Sequence, residues 1–389
     1  MSNQCKVNQE LSDWIITQRR YLHQYPELSH QEKHTREYLK SRLEELALVP
    51  TSYTGKDVVA DLHGDYPGPV FAIRADIDAL EINEETNLPF ASKNVGYMHA
   101  CGHDGHMAIV LGVAKLLSTK RTQIHGTVRF IFQHAEETVP GGAEELVKSG
   151  VLDDVSAIVG CHLWEQLEKG YVGFKEGPLM AGADRFEVTI QGKGGHGSMP
   201  HLAVDPVLVS THAIQQLYSI VSRQLNPLHP AVLSIGELKM GSSYNVIPDK
   251  AFFTGTVRYF DPIIQQSIRE SIQTMLDGVC TSFHASYDWK YEVGEPPLVN
   301  DPSLTSFVEK EANKIVSLEQ IVQAEPSLGG EDFAHYTNEV PATYFFLGIG
   351  EKGHSFGHHH PKFDIDESMM IVGTEILSQA ALTYLSAKE

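Results

Sequence analysis

With 389 residues, of which 42% are hydrophobic and 21% charged, the chain has the composition of a folded globular protein and the length for two domains. Fifty acidic residues against 30 basic ones give a formal charge of −20, which argues against nucleic acid and against an anionic membrane surface as partners. No apolar stretch approaches the roughly 18 residues of a membrane span. The opening MSNQCKVNQELSDWIITQRR lacks the basic start and apolar core of a signal peptide, and the four cysteines are scattered, so a reducing cytoplasm is expected.

Taken in chain order, HQEKHTREYLKSRLEEL (30–46) carries Tyr38, Leu39, Leu43 and Leu46 at helical spacing. Two strands are expected next, DVVADLHG and PVFAIRADIDAL, the second mostly apolar as a strand covered on both faces should be. MHACGHDGHMAIVLGVAKLL (98–117) packs Cys101, His103 and His106 ahead of a buried helix expected near 105–118. A strand in GTVRFIFQHAEE, a short helix in GGAEELVKSG ended by Gly150, and a strand in VSAIVGCHLW follow. This alternation predicts an α/β fold with a mainly parallel sheet covered by helices, whose functional groups sit at the carboxyl ends of its strands. From residue 181 the rhythm changes to βαββαβ, the split order of a ferredoxin-like α+β domain. After EPPLVNDP the first pattern resumes, with a helix at 303–317 and the strand PATYFFLGIG. Residues 1–180 and 295–389 are therefore expected to form one domain and 181–294 a second domain inserted into it.

Metal donors cluster in several segments. Besides Cys101, His103 and His106 they include His134, Glu136 and Glu137 in QHAEE, Cys161 and His162 in GCHLW, and His354, His358, His359 and His360 in GHSFGHHHPKFD. Imidazole, carboxylate and one thiolate suit zinc, manganese, cobalt or nickel better than magnesium or calcium. So many donors point to two ions about 3.5–4 Å apart. Adjacent side chains on an extended strand diverge, so one acid of the 136–137 pair is expected to bind metal while the other acts as general base. Asp76 or Asp78 in RADIDAL is placed to orient a ligand histidine.

RRYLHQYPELSHQE, RADIDALEI, MHACGHDGHMA, FQHAEE, GGHGSMPH, NVIPD, GGEDFA and HHPKFDIDE run in order from residue 19 to 367. Together they resemble the M20 metallopeptidase family, in particular its amidohydrolase branch of hippurate hydrolases, indole-acetyl-amino-acid hydrolases and N-acetyl-diaminopimelate deacetylases. The resemblance implies Cys101, His103, Glu137 and His162 as metal ligands, with a further ligand from the H-x-P motif, which falls on His359 but leaves His358 and His360 as alternatives. It implies Glu136 as the base, His196 of GGHGS as the group polarising the scissile carbonyl, from its own subunit or across a dimer, and Asn245 and Arg258 as the grip on a substrate carboxylate. The inserted domain resembles the family's lid, through which many members form homodimers. The expected reaction is hydrolysis of an N-acyl-L-amino acid, a small-molecule substrate, with two divalent ions (Mn, Zn, Ni or Co). The alternatives are a dipeptidase or carboxypeptidase of the same family and a relative that binds metal or ligand without turnover.

Overall fold

The computed structural model describes residues 3–351 and 356–386, with side chains from residue 9 onward; His354 lies outside them. The chain divides into two compact units. The larger comprises residues up to Leu179, Val299–Pro326 and the chain from Asp332; the smaller comprises Met180–Leu298 and Ser327–Glu331. The strip 327–331, which the sequence pattern leaves with the flanking domain, thus clusters with the inserted unit.

The larger unit is built on an eight-stranded sheet in the order 50–51, 58–63, 125–133, 66–76, 155–168, 342–350, 172–174, 321–323. Its four central strands, from 125–133 to 342–350, run parallel. The flanking strand 58–63 pairs antiparallel with 125–133, and 172–174 pairs antiparallel with 342–350. Unbroken burial along Phe71–Asp76, Arg129–Gln133 and Ala342–Gly350 shows that helices cover both faces, as parallel sheets require. The helix His103–Ser118 is buried at every position from His103 to Ala114, so its apolar sequence has no solvent side. Helices at Asn3–Gln24 and Ser368–Tyr384, which the sequence pattern does not single out, complete the unit.

The inserted unit has a four-stranded antiparallel sheet in the order 231–240, 250–259, 182–191, 286–295. Numbered by sequence this is 4-1-3-2 read from the far edge, the ferredoxin-like order. Its helices start at Pro206 and Pro262, each preceded by an aspartate whose side chain accepts a backbone N–H, from Val207 and Ile263 respectively. Phe186, Val188, Leu217, Phe253, Val257, Ile272 and Leu276 form its core.

Candidate metal centre

Three sheet segments and two loops deliver donors to one place. Strand 66–76 ends at Asp76, two residues before Asp78, and strand 125–133 ends at Gln133, just ahead of His134–Glu137. His162 does not sit at a strand end as the sequence pattern suggests, because its strand continues to Glu168. Its neighbour is shorter: pairing with strand 66–76 stops at Arg74↔Gly160, which lets Cys161 and His162 reach the level of Asp76. Gly102, at φ 98°, turns the chain from Cys101 into the helix that begins at His103. His359, at φ 64°, is brought in by its own N–H, which donates to the Ala100 carbonyl at 2.8 Å.

Donor atoms of Cys101, His103 and His162 lie within 4.8 Å of one another, as do those of Cys101, Glu137 and His359, and those of His103, Glu136 and Glu137. Cys101 Sγ is 3.6 Å from His162 Nε2, and His359 Nε2 is 3.3 Å from Glu137 Oε1. The expectation that the paired acids diverge is overturned. Both residues lie beyond the strand, after Ala135 at φ 52°, and their carboxylates stand 3.8 and 3.7 Å from the same His103 Nε2.

The backbone settles which ring nitrogen each histidine presents. His103 Nδ1–H donates to the Asp78 carbonyl at 2.9 Å, with Asp78 Oδ1 at 3.2 Å, so Nε2 is the ring nitrogen that faces the acids. His162 Nδ1–H donates to the Leu163 carbonyl at 3.0 Å, leaving its Nε2 toward Cys101. His106 is different. Its Nε2 accepts the Leu163 N–H at 3.0 Å and its Nδ1–H donates to Asp76 at 2.7 Å, so it has no lone pair to offer and leaves the donor set. His358 Nε2–H donates to the Leu163 carbonyl and the His360 ring accepts the Lys362 N–H, whereas His359 joins the cluster. His134 turns to Glu145, at 3.1 Å. Of the two aspartates, Asp78 holds His103 from behind, and Asp76 holds His106 and is itself gripped by Arg74 at 2.7 Å. Arg74 also binds Asp332 of GGEDF at 2.7 Å, a contribution that the sequence does not signal.

The electrostatics match a cation site. Burial disfavours charge on His103, but Asp76, Asp78 and Glu137 outweigh it and raise its pKa to about 10. Burial, reinforced by Glu137 and Glu136, pushes the Cys101 thiol well above its ordinary value. Burial pushes His162 well below. Among the described residues, the buried atoms His103 Nε2 and Glu137 Oε1 find no hydrogen-bond partner. Orphaned buried donors facing two carboxylates and a thiol fit divalent metal, whose charge reverses the cost of an ionised thiol.

The sequence profile of Peptidase family M20/M25/M40 matches residues 72–383. The chain belongs to this family. It is 44% identical to the N-acetylcysteine deacetylase of Bacillus subtilis, covering 95% of this chain and 97% of that protein. It is 45% identical to the N-acyl-L-amino acid amidohydrolase of Geobacillus stearothermophilus, covering 75% of this chain and 79% of that protein. Among solved structures, the YXEP protein of Bacillus subtilis, described as a dinuclear metal binding peptidase from the M20 family, superposes with a TM-score of 0.86 at 39% identity, over 97% of this chain and 99% of that one. No helix of this M20 protein, among its described residues, is long and apolar enough to cross a membrane.

In the inserted unit, His196 lies on the two-residue strand Gly195–His196, paired with Val246–Ile247. Its Nδ1 accepts the Ser198 N–H at 3.2 Å, so Nε2 carries the proton. Asn245 adjoins it, its carbonyl accepting the Gly197 N–H at 2.9 Å. Arg258, on the strand Lys250–Tyr259, is half-buried, and burial lowers its pKa against the pull of Asp184.

Proposed function

We propose that this M20 protein hydrolyses N-acyl-L-amino acids to a carboxylic acid and a free amino acid, with two divalent ions held by Cys101, His103, Glu137, His162 and His359. The observation that carries the reading is the convergence of these donors around the orphaned His103 Nε2 and Glu137 Oε1. The relatives named as a deacetylase and an amidohydrolase support the reaction class.

Bound there, the ions would acidify the attacking water from a pKa of about 15.7 toward 7. Glu136 takes the proton of that water as it adds to the amide carbonyl and returns it to the departing amine. His196 Nε2–H donates to the developing oxyanion. Arg258 and Asn245 hold the free carboxylate of the substrate, Arg258 by its planar fork, which an acidic protein needs for an anionic ligand. The protein acts in the cytoplasm as a homodimer joined through the inserted unit. Light scattering on the parent and on a chain lacking 181–294 tests the assembly.

The test of the reaction is metal-free protein given single additions of manganese, zinc, nickel or cobalt and assayed on acetyl, benzoyl and indole-acetyl amino acids beside dipeptides. Turnover of acyl amino acids, restored by at least one ion, is expected. Turnover of dipeptides alone sinks the proposal in favour of a dipeptidase, and no turnover with bound metal favours a non-catalytic relative.

A further inference from the structure

The turn that carries the paired acids is held by a distant segment, residues 27–32. Ala135, at φ 52°, occupies the left-handed region that side chains disfavour and glycine tolerates. Both of its backbone groups are engaged: its N–H donates to Glu32 Oε1 at 2.9 Å, and its carbonyl accepts the Gly142 N–H at 2.9 Å. Gly142 admits no side chain, since a Cβ there would meet the His134 carbonyl oxygen at 1.9 Å. Glu32 itself is 1% exposed. Three residues earlier, Ser29 donates to Asp78 Oδ2 at 2.7 Å, the same oxygen that accepts the Glu137 N–H at 2.9 Å. The segment is tied to the sheet end by the Ala79 N–H, which donates to the Glu27 carbonyl at 2.8 Å.

We propose that Glu32 is a positioning residue for the acid pair: by accepting the Ala135 N–H it holds that residue left-handed and turns Glu136 and Glu137 toward one nitrogen of His103. The proposal rests on the reading of those two acids as base and ligand. Without the Glu32 oxygen, a buried N–H loses its acceptor and the Gly142 bond to the Ala135 carbonyl is left to hold the left-handed backbone by itself. The turn then relaxes toward extended geometry, in which neighbouring side chains diverge. Ser29, through Asp78, fixes the far end of the same turn.

The test compares the parent with Glu32→Gln, Glu32→Ala and the double variant Glu32→Ala with Ala135→Gly. Zinc affinity is measured on metal-free protein by competition with a chromophoric chelator, alongside kcat and KM on an acetyl amino acid. Glu32→Gln keeps a carbonyl acceptor and stays within about threefold of the parent in every quantity. Glu32→Ala loses about 10–100-fold in both zinc affinity and kcat, as removal of a ligand's supporting partner does, while KM changes less than about threefold. Ala135→Gly takes positive φ unaided and recovers most of that loss. A Glu32→Ala protein matching the parent in both quantities overturns the proposal, and so does a loss that Ala135→Gly does not recover. If Glu32→Ala does not fold, Glu32→Asp, which keeps the carboxyl but withdraws the acceptor, takes its place with the same expected loss. A Glu137→Gln protein with parental zinc affinity overturns the ligand reading instead, whatever the Glu32 variants do.

Discussion

In the larger unit, His103 and His162 are 1% and 4% exposed, and each has its Nδ1–H committed to a backbone carbonyl. In the inserted unit His196 is exposed on a two-residue strand, its ring held by Ser198, and Asn245 beside it is exposed as well. Under the proposed function the two groups of residues answer different demands. A cation is bound tightly only by lone pairs already aimed at it, which buried hydrogen bonds accomplish at the cost of adaptability. Residues that meet a substrate entering from water must be reachable first and ordered afterward.

The contrast predicts graded consequences. Glu136→Gln, which removes the proposed base and keeps the shape, is expected to lower kcat by about 10²–10⁴. Metal content measured on the same sample should stay at the parental level, and near-normal turnover would break the assignment. His196→Ala should lower kcat by about 10²–10³, the worth of one oxyanion donor. Its thermal midpoint should not move, because the side chain is exposed. If His196 acts across a dimer, mixing that chain with Glu136→Gln restores part of the activity; no rescue in demonstrated mixed dimers places it in its own subunit. Cys101→Ala should release metal and with it stability, by about 2.7 kcal/mol where ligand had stood at 100 times its Kd. The loss should vanish when both proteins are melted in chelator. Arg258→Lys, which keeps charge and loses the fork, should raise KM about tenfold with kcat little changed.

The smallest effect concerns pH. Burial raises the Glu32 carboxyl to about 7 from an ordinary 4.5. Between those values the folded state holds a proton that the unfolded chain has released, so this group makes stability fall as pH rises from about 4.5 through 7. Glu32→Gln should therefore be more stable than the parent at pH 8, and the gap should close at pH 4. A gap that widens on acidification reverses the sign and refutes the burial account.

Much of the frame was legible in the sequence. Apolar runs such as VFAIRA and FFLGI can only be strands covered on both sides, and the Asp-Pro openings at 205 and 261 announce helices whose caps the structure displays. The donor segments were legible too, since cysteine, histidine and paired glutamate clustered in several segments beside buried strands point to metal. What escaped was direction. The left-handed turn at Ala135 has no glycine to betray it, and it alone reverses the expectation that Glu136 and Glu137 diverge. Nor could spacing separate His106 from His103: only the Leu163 N–H, 57 residues away, shows that the former's lone pair is taken. The choice among three consecutive histidines at 358–360 likewise depends on backbone partners brought by the fold.

The strip Ser327–Glu331 has a practical corollary. The Ala181 N–H, at the entrance to the inserted unit, is answered by the carbonyls of Ser327 and Gly329, at 3.0 and 3.1 Å. A fragment cut at 180 and 298 would leave that amide bare and lose a bordering piece of its own fabric. Anyone grafting this unit onto a relative must therefore transplant two stretches of gene, and a single-cassette exchange should give a poorly soluble chimera.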